Sequence, residues 1–237
     1  MNRNSFPIMF RQSGAWSPLD IDGCVLWLDA CQITGLSDGD PVATWPDASG
    51  LGYDAIGAGS KPDYKINILN GLPVVRWPDN TTRQLVVTDM ADAFSGISEG
   101  TLFVVFAPNN DELYGVVEFT SAVGPFWRFS NGDGYFGVFR ANRVNNVPAG
   151  QPTTGWHYHT IRSGPVNLYD IRRDGSLDYD GIPRGTWGIS TNLRVGMENV
   201  ANQLCGDIAE IILYARELDD DEVATVEANI PQAKWGL

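Results

Sequence analysis

The chain has 237 residues, 43% hydrophobic and 11% aromatic, which is enough for one large domain with a packed core. A formal net charge of −13 excludes the basic footprint that duplex nucleic acid requires, and the longest apolar runs are strand-sized, so no membrane span is expected. The 26 Gly and 14 Pro suit a sheet protein with many turns better than a helical one.

Residues 1–20 show no hydrophobic period and contain Pro7, Gly14 and Pro18. They read as an extended N-terminal arm, with residues 21–237 as one domain. Phe6, Ile8, Phe10 and Trp16 are more apolar than a free tail needs, so they are the candidate residues of an assembly arm that docks on a neighbouring subunit. Met1–Phe10 has no continuous apolar stretch of the kind that marks a signal peptide. Three cysteines, Cys24, Cys31 and Cys205, form no C-x-x-C pair and read as structural thiols rather than a disulfide framework or zinc site.

The first strong strand is Gly23–Ala30, containing Leu26-Trp27-Leu28-Asp29. A loop segment follows, Asp38-Gly39-Asp40-Pro41-Val42-Ala43-Thr44-Trp45-Pro46-Asp47-Ala48-Ser49-Gly50, then Tyr53-Asp54-Ala55, and later Asn70-Gly71-Leu72-Pro73-Val74-Val75-Arg76-Trp77. Short strands then succeed one another: Gln84–Thr88, Thr101–Phe106, Leu113–Thr120, Phe126–Ser130, Tyr135–Arg140, Trp156–Ile161, Val166–Arg172 and Leu193–Gly196. Thr101–Phe106 is apolar on both faces, as a central strand should be. Asp174-Gly175 predicts a tight hairpin turn.

The C-terminal stretch predicts a buried strand from Gly206, with Ile208, Ile211, Ile212, Leu213 and Tyr214 making both faces apolar. Asp219 stands as a helix N-cap, with Glu222 as its capping-box partner and Leu218 against Val223 as the hydrophobic staple. Val223, Val226 and Ile230 give the helix one apolar stripe, which Pro231 is expected to end.

These segments, together with the closing Lys234-Trp235-Gly236, resemble the laminin-G-like domains of the concanavalin A-like lectin/glucanase superfamily, over about residues 23–77 and 185–237. The resemblance implies an all-β, antiparallel jelly-roll β-sandwich with a short C-terminal helix. It is similar to the single-domain kind found in bacteriophage virion proteins. What it implies about function is therefore a non-enzymatic virion structural protein, a head decoration or a tail or fibre component assembled in the host cytoplasm. Its partners would be capsid or tail proteins, further copies of itself in a homo-oligomer, or host-surface glycan. The alternative is a bacterial carbohydrate-binding lectin-like module, and a third reading is a glycoside hydrolase.

Each reading asks for different residues. Glycosidases of that superfamily carry an E-x-D-x-E strand motif, and a retaining pair needs carboxylates about 5 Å apart. That motif is absent: Glu112 and Glu118 are six apart, and the odd spacing of Asp207 and Glu210 predicts opposite faces of a strand. His157 and His159 share a strand face and could hold zinc, but no third ligand is suggested nearby, and in the resembling family a W-H strand carries a structural His. Glycan contact would fall to exposed aromatic rings, for which Trp127, Tyr135 and Trp187 are the candidates. Calcium is the one cofactor suggested, because hard cations take clustered carboxylates; Asp38, Asp40 and Asp47 are the candidate ligands.

Overall fold

The structure is a computed structural model that describes residues 16–78, 82–90, 92–94, 99–109, 114–119, 126–130, 135–137, 143–144, 154–164, 168–183, 192–198 and 202–237. Among the described residues there are eighteen strands and one α-helix; sixteen strands form two large antiparallel sheets packed face to face, a β-sandwich, and the other two pair with each other. In chain order the strands are β1 (Cys24–Asp29), β2 (Thr44–Trp45), β3 (Ala55–Gly57), β4 (Asp63–Leu69), β5 (Leu72–Trp77) and β6 (Leu85–Val87). Then come β7 (Gly100–Pro108), β8 (Tyr114–Phe119), β9 (Phe126–Ser130), β10 (Tyr135–Gly137), β11 (Arg143–Val144) and β12 (His157–Ser163). The last are β13 (Leu168–Arg173), β14 (Ser176–Pro183), β15 (Leu193–Val195), β16 (Met197–Glu198), β17 (Asn202–Gln203) and β18 (Gly206–Tyr214).

The back sheet runs β14-β13-β12-β7-β18-β5-β4, with β1 also paired to β18; the front sheet runs β11-β10-β9-β8-β15-β6-β3-β2. Strands β7 and β18 sit at the centre of the back sheet, and every residue of both is buried, as their two-faced apolar pattern predicts. The side-chain period of two sorts their residues into two cores. Leu26, Leu28, Trp77, Val104, Phe106, Ile208, Ile211 and Leu213 meet Trp45, Leu85, Val87, Leu193 and Val195 between the sheets. Val74, Phe103, Val105, Ile212 and Tyr214 point the other way, onto the C-terminal helix.

That helix, α1 (Asp220–Glu227), has the predicted capping box at Asp219 and Glu222 and buries Val223 and Val226. Leu218 and Val223 are both buried in the same cluster, as a staple requires. Pro231 does not end the helical path. The α-helix stops at Glu227, and a π-helical turn, Ala228–Lys234, carries the chain through Pro231. Proline has no N–H for the carbonyl four residues back. The ladder shifts there to longer bonds, with the Trp235 N–H donating to the Ile230 carbonyl at 3.1 Å.

The predicted tight turn at Asp174-Gly175 is present, and a second one forms at Asn70-Gly71. Asn70-Gly71 joins β4 to β5 and Asp174-Gly175 joins β13 to β14, each pair with positive φ at both residues, as a type I′ hairpin needs. At the other end of the domain, Pro18–Asp20 is a short 3₁₀ turn capped by Ser17. Tyr214 donates its hydroxyl to the Pro18 carbonyl at 2.9 Å, and Trp16 packs against the helix-side core. Residues 16–20 thus lie on their own domain, while Phe6, Ile8 and Phe10 lie outside the described residues.

Candidate functional site

The motifs most legible in the sequence converge on one buried network. Strand β18 carries a bulge between Ile208 and Glu210. The extra residue resets the alternation, so Asp207 and Glu210 share the outer, helix-side face instead of pointing apart as their spacing predicts. Each carboxylate is nonetheless committed elsewhere. Asp207 takes a two-pronged bond from Arg76, Nε to Oδ1 at 2.6 Å and Nη2 to Oδ2 at 2.7 Å. Glu210, 1% exposed at its side chain, accepts from the Trp27 indole, the Trp235 indole and Lys234 Nζ at 2.6, 2.6 and 2.7 Å. Lys234 also pairs with Asp29 at 2.8 Å. Burial pushes Glu210 upward, against Lys234 and the Trp235 hydrogen bond, which favour its charged form. Burial alone would depress Lys234, but Glu210 and Asp29 outweigh it and hold the ammonium above the ordinary lysine value.

The candidate calcium ligands have protein donors of their own. Asp38 pairs with Lys65 and accepts from the Ile66 N–H at 3.1 Å, and that pairing holds its carboxyl below the usual range. Asp40 accepts from the Ser37 N–H at 2.7 Å. Asp47 is the hub of its loop: Oδ1 accepts from Trp27 N and Ser49 N at 3.0 and 2.9 Å, and Oδ2 from Ser49 Oγ and Tyr53 N at 2.7 and 3.0 Å. Among the described residues no three His, Cys, Asp or Glu side chains are gathered as metal ligands.

The two histidines face the space between the sheets. His157 Nδ1 lies 2.8 Å from Asp174 Oδ2, and His159 packs edge-on to Phe106 at 5.0 Å between ring centroids. Burial first, then His157 and Arg173, drive the His159 pKa well down, so its ring is neutral at physiological pH. Burial, with Asp47 and Asp29 as neighbours, pushes Cys24 and Cys31 up to about 12, which leaves neither as a thiolate nucleophile. A shallow pocket at the start of α1 is lined by Arg162, Glu217, Leu218, Asp219 and Asp220. Its guanidinium already donates to Asp170, Asp220 and the Leu218 carbonyl.

Two of the candidate aromatic residues lie on neighbouring strands, β9 and β10. Trp127 stands opposite Val117 in β9 and Tyr135 opposite Ser130 in β10, with their side chains outside the described structure. Trp187 lies outside the described residues altogether.

The two sheets differ in what covers them. The middle of the outer face of the back sheet, at β5, β7, β12 and β18, lies under α1 and the π-helical turn. On the front sheet, register aligns Thr44, Ile56, Val86, Arg194 and Glu118 across five neighbouring strands. Their strand neighbours Trp45, Ala55, Leu85, Val87, Leu193, Val195 and Val117 are all core residues, so this row faces outward. Ile56 is 48% exposed, Val86 partly exposed and Glu118 buried, accepting from Arg194 Nη1 at 2.9 Å. The side chain of Arg194 keeps 34% of its exposure and that of Glu118 3%. The sequence analysis does not identify this row; the apolar–charged–apolar alternation of Leu193-Arg194-Val195 is its one local signal.

No family model matches the chain, and no curated protein matches it. Solved structures do share its fold. The binding domain of a botulinum neurotoxin DC in complex with rat synaptotagmin II superposes with a TM-score of 0.61 at 14% identity, covering 87% of this chain and 51% of that one. A botulinum neurotoxin type C, whose uptake into cells depends on two ganglioside molecules, gives 0.62 at 13% identity, with 87% and 51% covered. A Trypanosoma rangeli sialidase in complex with sialic acid gives 0.59 at 12% identity, with 90% and 34% covered. The chain spans about half or less of each of these proteins, and the likeness establishes a β-sandwich fold.

Proposed function

We propose that this domain works by binding, without catalysis, and that its ligand is a glycan. The observation that carries the proposal is the outer face of the front sheet: the C-terminal helix covers the middle of the back sheet, and the front sheet presents an outward row that mixes apolar and hydrogen-bonding side chains. Apolar C–H faces and hydroxyls on one ligand match such a surface. The carboxylates a hydrolase would need argue the same way, since Asp207, Glu210 and Glu118 each sit in a buried ion pair with a basic side chain. Fold likeness to parts of a sialidase seen in complex with sialic acid and of a neurotoxin whose cell entry depends on gangliosides supports the glycan class. A glycan array tests it: saturable binding with no turnover of the bound sugar supports the reading. Hydrolysis that disappears when one carboxylate is neutralised would replace it with a glycosidase.

The narrower setting is a phage virion, which rests on the sequence resemblance. There the domain would be a head decoration, tail or fibre protein, and residues 1–15 would attach it to capsid, tail or further copies. Mass spectrometry of purified particles measures its copy number. Hundreds of copies fit a head protein, a few fit a tail or fibre, and absence overturns the virion setting while leaving glycan binding in place.

A further inference from the structure

We infer that the edge strand β14 is the seat of the N-terminal arm of a second copy of this chain, residues 6–10 of one molecule adding a strand to the back sheet of the other. The inference is independent of the glycan reading. Among the attachments open to residues 1–15 it names a further copy.

A sheet edge presents a row of unpaired N–H and C=O groups, which proteins shorten, charge or cover. Most edges here are dealt with in that way. The front sheet ends in β2 and β11, each two residues long. In β1 the Trp27 carbonyl accepts from the Ala48 N–H at 2.8 Å, and the Trp27 N–H donates to Asp47. β4 lies under the loop 38–42. There the Tyr64 N–H donates to the Asp40 carbonyl at 2.8 Å, the Gly39 N–H to the Tyr64 carbonyl at 2.7 Å and the Ile66 N–H to Asp38 Oδ1 at 3.1 Å. β14 is different. It runs for eight residues at the end of the back sheet, and among the described strands it pairs with β13 alone. Leu177 on this strand is 52% exposed. It stands opposite Arg172, whose guanidinium reaches Glu227 of α1, so it lies on the helix-side face of the edge.

The arm has the complementary pattern. Phe6, Ile8 and Phe10 alternate with Ser5, Pro7 and Met9, a strand period with three large apolar side chains on one face. When those three residues turn their N–H groups to β14, Pro7, which has none, falls on the solvent side, where an edge strand takes proline. A strand added in this way is held by main-chain hydrogen bonds, and its alternate side chains cover Leu177. Arg3 and Arg11 flank the apolar run and are the only charged side chains of residues 1–15, in a chain whose net charge is −13. β14 carries Asp178 and Asp180 and no basic residue. Two β14 edges set against each other would repel, whereas a basic strand is attracted.

Geometry favours the arm of another molecule. The described chain starts at Trp16, beside β18, where the Pro18 carbonyl accepts from Tyr214. From β18 to β14 the sheet crosses four strand pairings, about 19 Å. Residues 10–16 span about 20 Å only when fully extended. The direct path is also blocked, because α1 packs on β7 and β12 and reaches β13 through Glu227 and Arg172. An arm from a second copy has neither constraint.

The test uses the full chain. Sedimentation at concentrations up to about 0.1 mM is expected to show dimers or larger closed species. Ile8→Asp charges the apolar face of the added strand and Leu177→Asp charges its seat; each should weaken association about tenfold or more. Ile66→Asp, at a 44% exposed position on β4, should leave association unchanged. Disulfide trapping reads the contact itself. Chains carrying Leu177→Cys with Phe6→Cys, Ile8→Cys or Phe10→Cys are oxidised with diamide and run denatured without reductant, beside the same arm variants paired with Ile66→Cys. At least one Leu177→Cys pair should run at the mass of two or more chains. A bond closed within one chain would overturn the second copy. Trapping no better than with Ile66→Cys would overturn β14 as the seat. A full chain that sediments as a monomer throughout would overturn the inference and leave the glycan reading standing.

Discussion

Lys234, three residues before Leu237, places its ammonium 2.7 Å from Glu210 in the middle of the last strand. The same nitrogen is 2.8 Å from Asp29 at the end of β1. Around this triad the Trp27 and Trp235 indoles donate to Glu210, and the Asn70 amide donates to the Lys234 carbonyl at 2.9 Å. The opening strand, the Asn-Gly hairpin, the final strand and the closing Lys-Trp-Gly are therefore parts of one device. It ties the chain's end across the back sheet and presses α1 onto it.

Removing the cation should expose how much that device contributes. Lys234→Met leaves Glu210 and Asp29 as buried carboxylates, with side chains only 1% and 4% exposed. The expected loss is about 3 kcal/mol, the lower end for breaking a buried pair, because Lys234 itself keeps contact with water. Urea unfolding measures it. Combining Lys234→Met with Glu210→Gln should recover part of the loss, since one unpaired charge is then gone. Full additivity of the two changes would mean that the pair is not coupled.

The same triad sets an alkaline limit. The folded state holds Lys234 above its ordinary value, so the unfolded state gives up this proton first as pH rises. The stabilisation is complete below the unfolded lysine value of about 10.4 and is lost as pH climbs through the folded one. Thermal midpoints should fall above that pH, and the fall should be smaller in Lys234→Met. An equal fall in both proteins would assign the alkaline limit to other groups.

Much of this architecture could be read before any coordinates. The capping box, the staple, the Asp174-Gly175 turn and the central strand are each carried by local chemistry spanning a few residues. What escaped reading depends on register. One bulge in β18 puts Asp207 and Glu210 on the same face, and no spacing rule foresees a bulge. The π-helical turn is not legible because Pro231 reads as a stop, whereas in the fold it only breaks the bonding ladder. The outward row escaped for a similar reason: Ile56, Val86 and Arg194 come from three separate stretches, and Leu85-Val86-Val87 is apolar throughout, which hides the outward position. Of the candidate site residues, the acidic ones were recognised by type, but their backbone donors were invisible in sequence.

Gly196 should tolerate no side chain. Its φ is +80°, and a Cβ there would overlap the indole of the fully buried Trp77. Gly196→Ala combines backbone strain with overpacking, for an expected loss of about 3 kcal/mol or more. Unfolding curves or a collapse of soluble yield would register it. A variant as stable as the parent would mean that the Trp77 indole can move aside at little cost.

Asp47 is expected to matter through its protein partners rather than through a metal. Its two oxygens accept four hydrogen bonds that connect the loop 47–53 to β1. Asp47→Ala leaves the Trp27, Ser49 and Tyr53 amides without that acceptor in a partly buried loop, for an expected cost of about 2 to 3 kcal/mol. Asp47→Asn, which keeps one carbonyl oxygen, should cost less. A calcium ion present at a hundred times its dissociation constant would add about 2.7 kcal/mol of stability. Thermal midpoints with EDTA and with excess calcium separate the two origins. Coincident midpoints are expected, because Lys65, the Ser37 amide and the loop amides already satisfy Asp38, Asp40 and Asp47. A rise with calcium that vanishes in Asp47→Asn would instead make the loop a metal site.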